Sequence, residues 1–269
     1  MEHLKIALCQ MTSVDDVQTN IDQAFSLIQQ IKGKVALISL PENCLYLRTD
    51  DKEKVPEFRL EDKVFAPFVK FAQEHRTFIH LGSVPLKKGD ELYSTSVIIS
   101  DSGKLSADYS KIHLFDVDVE GARSVRESHT YAHGEHPKVI EIHGWKVGLS
   151  ICYDLRFSEL FLDYSKYPVD LILLPAAFLV PTGKAHWDIL LRARAIESQS
   201  FVAAAAQCGK HIGKVGERTT YGHSMVIDPW GTKMVEAEEE IGIIEATLEK
   251  SRIQKVRRQI PMKNHRRLN

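Results

Sequence analysis

The sequence predicts a layered α/β protein. Short β-rich runs alternate along the chain with stretches of helical periodicity, and several β runs, such as "LILL" and "FVAAAA", are apolar almost without interruption. Strands of that kind are covered on both faces, which calls for helices packed over a sheet. The 269 residues contain no repeat, low-complexity tract or Pro/Gly/Ser-rich linker, so a single domain is expected.

In chain order, "LKIALCQM" reads as a strand. Val17, Ile21, Phe25, Ile28 and Ile31 then recur at helical spacing, and "VALISL" follows as a second strand. "RTDDKEKVPEFRLED" (48–62) is polar enough for a long surface loop. Val64, Phe65, Phe68 and Ala72 mark a helix ahead of the strand "FIHLGSV"; "LYSTSVIIS", "DSGK" and "LSADYSKIHLF" give a strand, a turn and a strand. "KVIEIHGWKVGLSIC" predicts a hairpin turning near Gly144. A helix is expected from Leu155 to about Lys166, then the strand "VDLILLP", the helix "AHWDILLRARAIESQS", the strand "FVAAAAQC" and a hairpin turning at "DPWG".

Composition narrows the partners. With 43% hydrophobic residues, 26% charged residues and a formal net charge of -1, the chain lacks the polyelectrolyte character that nucleic acid or a membrane surface would call for. The basic tail "KVRRQIPMKNHRR" is short and has no interleaved aromatics. No apolar run reaches the roughly 18 residues of a membrane span, and "MEHLKIALCQ" does not read as a signal peptide. The four cysteines, Cys9, Cys44, Cys152 and Cys208, lack CxxC spacing, so neither zinc nor a disulfide framework is indicated and a cytoplasmic setting is expected. His129, His133, His136 and His143 show no metal-ligand spacing either.

In α/β sheets, reactive groups gather just beyond strand ends. Glu42 follows "VALISL", Lys111 precedes "IHLF", and Cys152 follows "VGLSI". Taken singly, Glu42 and Lys111 read as solvated strand-end charges and Cys152 as a small core hydrophobe. Together they make a nucleophilic site. A thiol at a strand-to-helix junction, beside an ammonium, has its thiolate favoured. A carboxylate in reach would take the thiol proton and later activate water. The lysine and the backbone N–H of Tyr153 would hold the oxyanion of a tetrahedral intermediate. In "CYDLRF", Asp154 and Arg156 are expected to form an ion pair bracing the first helical turn.

"LPEN" with Glu42, "YSKIHLFDVDVEG" with Lys111 and "GLSICYDLRFSEL" with Cys152 resemble, in order and spacing, the three signature blocks of the nitrilase-like carbon-nitrogen hydrolase superfamily. The resemblance implies a four-layer α-β-β-α sandwich, a Glu-Lys-Cys triad, no metal or organic cofactor, and a homodimer or higher homo-oligomer in which residues 249–269 form an arm on a neighbouring subunit. It also places a second glutamate at Glu127, in "VRESHTYAHG". "TGKAHWDILLRARAIESQSFVAAAAQCGKH" and "YGHSMVIDPWG" are similar to the Nit branch, whose amidases act on small 2-oxo acid amides. That similarity ranks deaminated glutathione first as substrate and 2-oxoglutaramate second; a true nitrilase and a non-catalytic binding protein on the same fold are the rivals. Phe178, Thr182 and His186 are the candidate substrate contacts.

Overall fold

The computed structural model describes residues 1–50, 53–118, 124–167 and 169–267. Its elements are β1 (His3–Gln10), α1 (Val17–Ile28), β2 (Leu37–Ser39), α2 (Ala66–His75), β3 (Phe78–Lys88), β4 (Glu91–Ile99), β5 (Leu105–Ser110), β6 (Asp116–Val117), β7 (Val125–Arg126), β8 (Lys138–Ile142) and β9 (Trp145–Leu149). They continue with α3 (Ser158–Lys166), β10 (Leu171–Leu173), α4 (Val180–Ser198), β11 (Phe201–Ala204), β12 (Cys208–Ile212), β13 (Glu217–Tyr221), β14 (Met225–Ile227), β15 (Lys233–Glu236), β16 (Gly242–Glu249), α5 (Lys250–Gln259) and α6 (Met262–His265).

Two six-stranded sheets form the centre, one in the order β16-β1-β2-β3-β4-β5 and the other β15-β14-β11-β10-β9-β8. Alternation along β1 separates the layers: Leu4, Ile6 and Leu8 join a cluster with Trp145, Val147 and Leu149 of the second sheet, while Ala7 and Cys9 pack with Ala24, Leu27 and Phe68 of α1 and α2. On the far side, Phe161 and Tyr164 of α3 and Trp187, Leu191 and Ala195 of α4 cover the second sheet. The expected α-β-β-α sandwich is the observed one. Among the described residues, no helix is long and apolar enough to cross a membrane.

Most elements follow from local chemistry. Asp16 caps α1 by accepting from the Thr19 N–H at 2.8 Å, and Ile21, Leu27 and Ile28 form its buried stripe; Ile31 lies past its end. The turn between β8 and β9 uses His143 and Gly144, both at positive φ (49° and 79°), as a two-residue type I′ hairpin requires. Pro181 sits in the first turn of α4, so this helix starts ahead of the expected "AHW".

Four departures matter. The strand "LSADYSKIHLF" stops at Ser110, leaving Lys111 just beyond it. The helix expected from Leu155 is two pieces, a 3-10 turn over Cys152–Arg156 and then α3, with extended Phe157 between them. Several elements went unread, among them the β12–β13 hairpin and β16, which pairs antiparallel with β1 over eight residues. In the loop 48–62, Phe58 is buried and bridges to Leu86 of β3; Asp51 and Lys52 lie outside the described residues, as do Val119 to Gly121 of the lysine block and Leu268 and Asn269 of the arm. Within the chain, the arm docks on its own protomer: Ile253 and Val256 are buried, and Arg257 donates to the Val169 and Gln199 carbonyls.

Candidate active site

The strands β1, β2 and β3 run parallel, as do β9, β10 and β11, and the carboxyl ends of β2, β9 and β10 meet. Gly82 makes that meeting possible. A Cβ there would lie 2.3 Å from the Leu40 carbonyl oxygen and 2.5 Å from the Pro175 Cβ, so any side chain would push the Glu42 loop away from the end of the second sheet.

Glu42, Lys111 and Cys152 come together in one cavity between the sheets, with Glu127 beside them. Lys111 is 1% exposed. Its Nζ donates to Glu42 Oε1 at 2.8 Å and to both oxygens of Glu127 at 2.9 and 2.8 Å. The Phe115 N–H also donates to Glu127, at 2.7 Å, and the Gln207 amide donates to the Glu42 carbonyl. Burial alone would lower the Lys111 pKa, but the carboxylates of Glu127 and then Glu42 outweigh it and hold it well above the ordinary value. The lysine is a fixed cation.

Cys152 adopts φ of 48°, a left-handed conformation costly for a residue with a Cβ, and its N–H donates to the Pro175 carbonyl at 2.9 Å. This sharp turn, rather than a long helix, sets the thiol at the cavity. The expectation that the thiolate is favoured at rest is corrected accordingly. Burial, and next the Glu42 carboxylate, push the thiol pKa well above its usual value, against the opposing pull of Lys111. The resting sulfur is a thiol, and a base must remove its proton during reaction.

The expected Asp154–Arg156 ion pair does not form. Asp154 is fully buried and accepts four hydrogen bonds: from the Tyr109 hydroxyl (2.6 Å), the Ile151 N–H (2.8 Å), the His113 N–H (3.0 Å) and His113 Nδ1 (2.7 Å). It pins the turn after Cys152 to the end of β5. Asp154→Ala, which strands these donors, is expected to cost about 3 kcal/mol or more in denaturant unfolding. A loss below 1 kcal/mol would contradict this role.

Arg156 instead lines the cavity, its guanidinium 5.3 Å from the Phe178 ring centre and 5.8 Å from that of Tyr153. Its Nη1 donates to His186 Nδ1 at 3.0 Å. Tyr153, Phe178 and Thr182 also line the cavity, while His186 is not among its lining residues and serves as a partner of Arg156. The Thr182 hydroxyl donates to the Leu179 carbonyl at 3.1 Å. Sequence reasoning passed over Asn43 and Arg218, which line the cavity too. Asn43 is the last residue of "PEN"; Arg218 sits in the unread hairpin and carries no local signal.

A thiol, a buried carboxylate and a fixed ammonium at converging strand ends of an α-β-β-α sandwich define a site suited to acyl transfer. The sequence pattern of carbon-nitrogen hydrolases matches residues 5–258, and the chain belongs to that family. It is 35% identical to deaminated glutathione amidase from Yersinia enterocolitica, over 99% of this chain and 94% of that protein. The C. elegans NitFhit structure superposes with a TM-score of 0.88 at 34% identity, covering 99% of this chain and 66% of that one. Saccharomyces cerevisiae Nit3, a member of branch 10 of the nitrilase superfamily, superposes at 0.84 and 29% identity over 99% and 97% of the two chains.

Proposed function

We propose that this protein is an amidase that cleaves deaminated glutathione into 2-oxoglutarate and cysteinylglycine through a thioester on Cys152. The observation that carries the reading is the cavity in which Cys152 meets Glu42 and the doubly bridged Lys111. The relatives that bear this activity in their names, at 35–37% identity over nearly the whole chain, supply the substrate.

Glu42 takes the thiol proton as the sulfur attacks the amide carbonyl carbon. The Lys111 ammonium and the Tyr153 N–H, a donor left over at the start of its turn, hold the oxyanion. Collapse breaks the C–N bond as Glu42 returns the proton to the departing amine. Water then attacks the thioester with its proton passing to Glu42, and the acid leaves as Cys152 regains a proton. Throughout, Glu127 keeps Lys111 charged and in place, and Arg156 binds the carboxylate of the 2-oxo acid.

A steady-state comparison tests the substrate. kcat/KM for deaminated glutathione is expected to exceed that for 2-oxoglutaramate at least tenfold, a difference of about 1.4 kcal/mol in transition-state binding. A preference for 2-oxoglutaramate would overturn the assignment. Four cysteines without a disulfide among the described residues suit a reducing compartment such as the cytoplasm.

A further inference from the structure

Arg218 is a cation with no anionic partner among the described residues. It stands in β13 directly across from His211 of β12. His211 cannot serve it: its Nδ1 donates to the Ser13 carbonyl at 2.7 Å, so its Nε2 accepts from the Thr220 hydroxyl at 2.7 Å and no ring lone pair remains. The neighbouring Glu217 is engaged by Lys210. Arg218 Nε is shielded from solvent and has no hydrogen-bond partner among the described residues, although the side chain borders the cavity of Cys152. A desolvated guanidinium donor left in this way loses free energy unless a ligand answers it.

The charges around the cavity point the same way. Lys111 is committed to Glu42 and Glu127, and among the described residues the hydrogen-bond partner of Arg156 is the neutral His186 ring, which accepts through Nδ1. Two guanidiniums therefore border the cavity with no carboxylate of the chain to pair with among the described residues. They enter from different elements. Arg156 belongs to the same turn, Cys152–Arg156, as the nucleophile. Arg218 arrives on the hairpin held against the residues just ahead of α4 by the Tyr221 N–H, which donates to the Phe178 carbonyl at 2.9 Å, and by the Leu179–Thr220 bridge.

We propose that Arg218 binds a carboxylate on the amine half of the substrate, so that the site selects amides bearing an anionic group on each side of the scissile bond. This rests on the amidase reading and deepens it, because Arg156 alone explains a 2-oxo acid but not a preference for the leaving group. Planar guanidiniums suit such a carboxylate, which they can hold with paired hydrogen bonds.

The test separates binding from turnover. In the Cys152→Ala protein, calorimetry compares deaminated glutathione with its C-terminal glycinamide, which lacks only the carboxylate of the amine half. The carboxylate form is expected to bind about 10- to 100-fold more tightly, and Arg218→Gln to reduce that ratio to within about threefold, with Arg218→Lys retaining part of it. A ratio that survives Arg218→Gln overturns the proposal, as does equal or unmeasurable affinity for the two ligands with Arg218 intact. Should the ratio behave as expected while the unmodified protein hydrolyses neither 2-oxo acid amide, the amidase reading falls and the role of Arg218 stands.

Discussion

Cys152→Ala is expected to lower amide hydrolysis by about a million-fold, to background, because no other group can form the acyl bond. The fold is expected to survive. Alanine meets the same left-handed backbone strain as cysteine at φ 48°, and the deleted sulfur borders a cavity rather than closed packing. A companion variant separates strain from chemistry. Cys152→Gly is equally inactive but more stable than Cys152→Ala by about 1 kcal/mol, since glycine adopts that conformation freely. Denaturant titration and product assays check both. Measurable turnover in either variant above one-thousandth of the native rate would remove Cys152 as nucleophile, and a glycine variant less stable than the alanine one would contradict the strained turn.

Lys111→Met is expected to abolish activity and to destabilise the fold by about 3–5 kcal/mol, the usual cost of breaking a buried ionic cluster from one side. Two carboxylates, Glu42 and Glu127, face its ammonium, and neither has another cation within ion-pair distance among the described residues. Without it, the folded variant takes up a proton to relieve the repulsion, whereas the unfolded chain at neutral pH does not. The folded state then binds more protons than the unfolded one, so stability falls as pH rises, and the loss is larger at pH 8 than at pH 5. Lys111→Met/Glu127→Gln should regain part of the stability and none of the activity, which marks the coupling as electrostatic. Equal destabilisation at both pH values, or no regain in the double variant, would sink that account.

The reading of the site from sequence succeeded where position along a strand was enough. Glu42 and Cys152 each stand just past an apolar run and Lys111 just before one, and such ends collect polar side chains in α/β sheets. It failed where a partner decided the role. Asp154 and Arg156 are two residues apart and oppositely charged, which suggests an ion pair. In the fold, Tyr109 and His113 claim the carboxylate, and Arg156 turns to Phe178 and His186. The thiol is a similar case. A strand-to-helix junction implies a lowered pKa, but the helix starts only at Ser158, and burial beside Glu42 acts in the opposite direction.

By itself, the sequence determined the alternation of elements, the apolar strands that demand cover on both faces, the β8–β9 turn near Gly144, and the placing of Glu42 and Cys152 after apolar strands. These depend on periodicity, capping and turn chemistry, which act over a few residues. The tertiary structure alone decided that β16 closes the first sheet against β1, that Gly82 lets the two sheets approach, and that Lys111 is shared by carboxylates 69 and 16 residues away. It also decided that Arg218 borders the cavity of Cys152 with no anionic partner among the described residues. Register, burial and charge compensation come from contacts between distant segments, and no local pattern encodes which segment supplies the partner.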